Sequence, residues 1–203
     1  MNSIRTGKVD WTGDNPFIYL KTDSEGDWSS LSLYFRIAAS DYGRGEVILV
    51  LENPYQKEDG SAVRKCLTDN LELAQYLVEN FVRRFGLFRA AVALDNLEYI
   101  ADACFKTETD YPKQQACIAH SESTGTTLSM IWKDLAEPFA VALPPEETQT
   151  GEHEMFAIFQ PAGAAQVEVN GTPLPGTTVE RDFLNRIAQS AALANSESWV
   201  RAE

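Results

Sequence analysis

The stretch SLSLYFRIAASDYGRGEVILVLE, residues 30–52, decides the fold class. Leu31, Leu33, Phe35 and Ile37 alternate with Ser32, Tyr34 and Arg36. Successive side chains of an extended chain point to opposite faces, so this is the pattern of a half-buried antiparallel strand. The following DYGRG turns the chain. Glu46 to Glu52 is apolar on both faces and reads as a central strand, which Pro54 ends. Upstream, FIYLKT at 17–22 reads as another strand, entered through Asp14-Asn15-Pro16.

Beyond the polar loop NPYQKEDGSA the period changes from two to three and four. The spacing predicts a helix from about Asp69 to Phe85, with Ala74, Leu77, Val78, Phe81 and Phe85 as its apolar stripe. Asp69 can cap it, with Glu72 at the capping-box distance. Glu79 and Arg83 can pair on the exposed side, and Gly86 suits a left-handed stop.

Further β-like segments follow: LFRAAVAL, ADACFKTET, KQQACIAHSE, TTLSMIWKDL, PFAVAL, HEMFAIFQP and AAQVEVNG. Turn residues separate them, and Asn170-Gly171 is a hairpin signal. Such a meander closes into a barrel or folds into a sandwich. The C-terminal TTVERDFLNRIAQSAALANSESWV, residues 177–200, is read as a second helix. Thr177 and Glu180 have capping-box spacing, and Leu184, Ile187, Ala188, Ala191 and Ala194 make a stripe. A strand over Val179 to Ile187 is the alternative. The expectation is one α+β domain over residues 1–203: an antiparallel β-rich barrel or sandwich, a central amphipathic helix and a C-terminal helix.

Composition narrows the function classes. The 203 residues carry a net charge of −13. The first 100 hold 11 basic and 15 acidic side chains, the rest 6 and 15. A nucleic-acid binder must neutralise phosphates with Lys and Arg, and only the pairs Arg64–Lys65 and Arg83–Arg84 stand out. Anionic membranes are disfavoured on the same ground. No apolar run is long enough to span a bilayer, and the N-terminus lacks a signal-peptide pattern. Three cysteines without a metal-type pair fit a reducing compartment, so a cytoplasmic protein is expected.

The histidines are the sparsest chemistry. His120-Ser121-Glu122 and His153 have the formal order H-x-E…H, which resembles the two-histidine, one-carboxylate iron set of jelly-roll oxygenases that use 2-oxoglutarate. Those enzymes carry a basic residue soon after the last histidine. Here the next is Arg181, so no family is assigned. The alternative reading puts His120 at a strand end and His153, solvated, at a loop boundary. The expectation is no bound transition metal and no cofactor.

Cys66, Cys104 and Cys117 read as small, mostly buried thiols. A turn centred between Asp110 and Tyr111 would set Cys104 opposite Cys117, while Cys117 and His120, three apart on a strand, would face opposite ways. DYGRGE holds G-x-G, but a strand follows it, so the dinucleotide reading fails. Glu98 and Asp102 could share a helix face, but LDNLEYIADA reads equally as a loop and strand, and the alternative reading is charged surface. Trp11, Trp28, Trp132 and Trp199 are candidates for lining a ligand cavity.

The leading expectation is a non-catalytic binder of a small apolar ligand or a protein partner. The alternatives are an enzyme with a sparse site at His120, Glu122 and His153, and an acidic assembly or chaperone-like factor. Apolar strands outnumber the predicted cover, which suggests a homodimer.

Overall fold

A computed structural model describes residues 7–57 and 60–201. Its strands, in order, are β1 (Lys8–Asp14), β2 (Phe17–Leu20), β3 (Ser30–Ser40), β4 (Gly45–Glu52) and β5 (Arg64–Thr68). Then come β6 (Glu98–Ile100), β7 (Ala103–Asp110), β8 (Gln114–Ser121), β9 (Thr127–Leu135) and β10 (Phe139–Leu143). Last are β11 (His153–Val169), β12 (Thr172–Pro173), β13 (Glu180–Asp182), β14 (Ile187–Gln189) and β15 (Ala191–Arg201). One α-helix, α1 (Leu71–Asn80), lies between β5 and β6.

The main strand path runs β6-β5-β4-β3-β1-β15-β11-β9-β8-β7 and is open, not a closed barrel. Neighbours are antiparallel except β5 and β6. The 17-residue β11 carries the path from one layer to the next. Its first part, to Pro161, pairs with β15 and β10; from Ala162 it pairs with β9. HEMFAIFQP and AAQVEVNG, expected as two strands, are thus halves of one. Asn170 and Gly171 both have positive φ and turn β11 into β12, as the dipeptide predicts.

Two cores flank the first layer. On one side Leu31, Leu33, Phe35 and Ile37 of β3 and Leu49 and Leu51 of β4 pack with Leu73, Leu77, Val78 and Phe81. On the other, Tyr34, Ile48, Val50 and Leu67 meet Ala119, Leu128, Met130 and Trp132 of the second layer. The alternation in β3 is therefore real, but both of its faces are covered. Ser32 is fully buried along with Leu31. The result is helix, sheet and sheet in three layers.

Several expectations need correction. The helix is shorter than Asp69 to Phe85, and its cap is Asn70, whose side-chain oxygen accepts from the Leu73 N–H. The Asp69 carboxylate instead accepts from the Glu46 N–H across the β4 edge. After Phe81 the chain tightens into 3-10 turns at Val82–Arg84, Phe88–Ala90 and Val92–Asn96, so LFRAAVAL is not a strand. The Glu79–Arg83 pair forms, at 2.9 Å. Gly86 is not in the left-handed region; its N–H is bound by the Gln149 side chain.

The C-terminal helix is absent. Residues 180–189 form a β-hairpin and residues 191–201 the strand β15. Ala191 to Ala194 are all buried, because β15 sits between β1 or β2 on one side and β11 on the other with both faces packed. Small residues fit there, and the ladder overrides the helical preference of alanine. The β7–β8 register also differs: Asp110 pairs with Gln114, which sets Cys104 opposite His120 and Cys117 opposite Thr107.

Candidate functional site

The two histidines part company. His120 is exposed on β8, and its Nδ1 lies 2.9 Å from the Thr127 hydroxyl on β9. Glu122 is exposed in the turn beyond. His153, expected to be solvated, is 1% exposed at the start of β11. Its Nε2 lies 2.8 Å from Asp10 Oδ2 and its Nδ1 2.9 Å from the Thr150 hydroxyl. Phe81 and Trp199 enclose the ring. Arg201 donates to the same Asp10 oxygen and to Glu152, which also accepts from Arg84.

Burial would push the Asp10 carboxyl up, but the His153 and Arg201 hydrogen bonds outweigh it and hold the group below the usual carboxylate range. Among the hydrogen bonds and ion pairs of the described residues, none joins any two of His120, Glu122 and His153. Nor is any group of three or more His, Cys, Asp or Glu side chains among the described residues placed to hold a metal ion.

A different place has the features of a ligand site. A cavity of about 230 Å³ opens on the helical side of the first sheet. Asn15, Phe17, Tyr19, Leu33, Met155, Phe159, Glu197 and Trp199 line it from β2, β3, β11 and β15 and the link between β1 and β2. Phe85, Gly86 and Leu87 come from the turns after α1, and Glu147, Thr148 and Gln149 from the loop after β10. Arg89 donates to the Gln149 carbonyl at 2.6 Å, which ties these last two segments together.

Phe183 and Leu184 close the remaining side from the turn of the β13–β14 hairpin. Leu184 and Asn185 have φ of 55° and 61°, and the Phe183 N–H bonds the Arg186 carbonyl at 2.7 Å. This is a two-residue turn with both central residues left-handed, which suits the twist of a hairpin. Leucine seldom adopts that region. The turn carries Phe183 onto Phe17 and Phe159, at ring separations of 5.3 and 4.9 Å. Arg181 lies over the rings of Tyr19 and Phe183.

Glu197 is in this cavity because β15 bulges. Along β15, Ala192 and Ala194 belong to the core under the helix, so strict alternation would put residue 197 on the other face. Between the pairs Asn195–Ile158 and Ser198–Phe156, however, β15 has one residue more than β11. Ser196 takes a φ of 54°, and its N–H bonds Asp14 Oδ1. The bulge reverses the alternation, and Glu197 joins Trp199 on the cavity side.

Glu197 is 3% exposed. Its Oε1 accepts from Trp199 Nε1 at 2.6 Å and from Asn15 Nδ2 at 3.3 Å. Burial pushes its carboxyl up to about 7, although both hydrogen bonds pull it down. Asn15 Oδ1 is buried with no hydrogen-bond partner, a costly state for an amide oxygen.

Of the four tryptophans, only Trp199 lines this cavity. Trp11 and Trp132 are fully buried core residues, the latter donating to the Phe17 carbonyl at 3.0 Å, and Trp28 stacks under Lys21. Glu197, Asn15, Arg181 and Phe183 were not singled out from sequence. Glu197 and Trp199 would share a face of any extended segment, a signal that the helical reading of 177–200 concealed. No family model, no curated protein and no solved structure matches this chain.

Proposed function

We propose that the protein binds a small, largely apolar molecule in the cavity between the first sheet and the β13–β14 hairpin. One observation carries this reading: an aromatic-lined cavity of about 230 Å³ holds a buried carboxyl group, Glu197. Ligand sites are concave, mostly apolar and marked by few polar groups with shifted pKa values. The volume suits one ring with a short chain. The catalytic alternative at His120, Glu122 and His153 has no shared contact among the three to support it.

The test uses isotope-labelled protein and a set of single-ring fragments that are neutral, anionic or cationic. Binding in the cavity is expected to shift the backbone signals of Phe17, Leu184 and Glu197 and the indole signal of Trp199. Shifts confined to other regions, or none at millimolar concentrations, would overturn the reading. Native mass spectrometry of protein purified from its own host would show whether a small molecule travels with it.

A further inference from the structure

We infer that the ligand is an organic cation, a protonated aryl-alkyl amine. Its ammonium N–H groups would meet the carboxylate of Glu197, and its ring would lie among the cavity's aromatic side chains. This rests on the cavity reading above and names the class of molecule that fits it.

The polar groups of the floor ask for donors. Both side-chain donors that reach Glu197 reach the same oxygen, Oε1, so neither meets Oε2. Asn15 Oδ1 accepts nothing. A ligand that brings N–H groups to this end of the cavity would complete Glu197. A ligand that presents only acceptors there would oppose Glu197 in its ionised form.

Charge separates an ammonium from a neutral donor. A carboxylate out of water is costly unless a counter-charge faces it. Trp199 and Asn15 are neutral donors and supply none. The one cationic side chain of the lining is Arg181, which lies over the rings of Tyr19 and Phe183 at 5.8 and 5.7 Å. No salt bridge joins it to Glu197 among the described residues. Glu147 adds a second carboxylate to the lining. An ammonium would be the counter-ion that Glu197 lacks.

The walls suit the same cation. Phe17, Tyr19, Phe85, Phe159, Phe183 and Trp199 all line the cavity. Aromatic faces attract cations through their quadrupoles, most strongly away from water. The same rings accept a flat apolar body in edge or stacked contact. The net charge of −13 raises the local concentration of cations and opposes anions.

Three ligands of nearly equal size decide the matter by calorimetry at neutral pH: 2-phenylethylamine, 2-phenylethanol and phenylacetate. The amine is expected to bind at least about tenfold more tightly than the alcohol, a difference of about 1.4 kcal/mol. The acid is expected to bind more weakly than either. Glu197→Gln is expected to bring the amine-to-alcohol preference close to unity. If that variant does not fold, the wild-type order alone decides. Equal affinity for amine and alcohol, or tighter binding of the acid, would overturn the cation but leave the cavity reading standing. Binding of none of the three at millimolar concentration would overturn both.

Discussion

The indole N–H of Trp199 donates to the buried carboxyl of Glu197 at 2.6 Å, two residues back along the same strand. The bulge at Ser196 turns this pair toward the cavity. A carboxyl in such a place is easier to fold as the neutral acid than as the anion, and that has a consequence for stability.

The folded-state value of Glu197 is near 7 against an ordinary 4.5. Between those limits the folded chain holds a proton that the unfolded chain has released, so stability falls as pH rises through this window. The whole window is worth about 3 kcal/mol. Glu197→Gln removes this contribution. Urea unfolding at pH 5 and pH 8 should show the variant gaining on the wild type by up to about 3 kcal/mol at the higher pH. An equal difference at both would mean that Glu197 titrates as an exposed acid does.

Asp10 has the opposite sign. Burial opposes its charge, but His153 and Arg201 hold its carboxyl below the usual range. Its contribution is therefore complete above about pH 4 and fades as pH falls through the lower folded-state value. Asp10→Ala leaves the His153 Nε2 without its acceptor in a position 1% exposed. The expected loss at pH 7 is about 3–5 kcal/mol, the range for breaking a buried pair. The gap between variant and wild type should narrow at pH 3, as read from urea midpoints.

The strands from residue 17 to 52 were legible because alternation and turn residues agree there. The second layer was legible only in pieces. Its covering of Tyr34, Ile48 and Val50 depends on pairings between distant segments, which no local pattern encodes. The C-terminal error has one cause. An alanine-rich stripe looks helical alone, and β15 is a strand only because β1, β2 and β11 flank it. The cavity was concealed with it, since Glu197 reaches the site through a bulge set by Ser196. His153 was misplaced because its partner, Asp10, lies 143 residues away.

The helix face is testable through Leu77, which is fully buried between α1 and the first sheet. Truncation removes apolar contacts and leaves a hole that the close-packed layer fills only in part. Leu77→Ala is expected to cost about 2–5 kcal/mol, with the denaturant slope unchanged. A midpoint equal to that of the wild type would place this face in solvent.

Thiol chemistry reads the β7–β8 register. Cys104 is exposed, while Cys66 and Cys117 are buried. Burial pushes the Cys66 thiol up and carries Cys117 up to about 12. Thiolate is the reactive form, so the native protein should show one fast thiol with a disulfide reagent at pH 8, and three after denaturation. Cys104→Ser should remove the fast one. Mild oxidation should not join Cys104 to Cys117, because these residues pair with His120 and Thr107 and point to opposite faces. A Cys104–Cys117 bridge found by peptide mapping would contradict the register.

Self-association is the last expectation on which the layers bear. The sequence suggested a homodimer because apolar strands outnumbered their cover. In the structure α1 and the turns after it cover one face of the first sheet, and β7, β8, β9 and the second half of β11 cover the other. Among the described residues the large exposed apolar side chains are Val9, Tyr42, Leu71, Tyr111, Ile158 and Ile187. Single exposed apolar residues are ordinary and do not mark an interface. What remains open are the edges, chiefly β7. That edge carries Lys106 and Glu108, exposed and paired to each other at 2.6 Å, and charge on an edge strand opposes pairing with another chain. Light scattering across micromolar concentrations is therefore expected to give the monomer mass of 22.6 kDa. A mass of twice that, held on dilution, would restore the dimer and direct attention to the β7 edge. Glu108→Thr would then be expected to strengthen the association by removing a like charge from each partner.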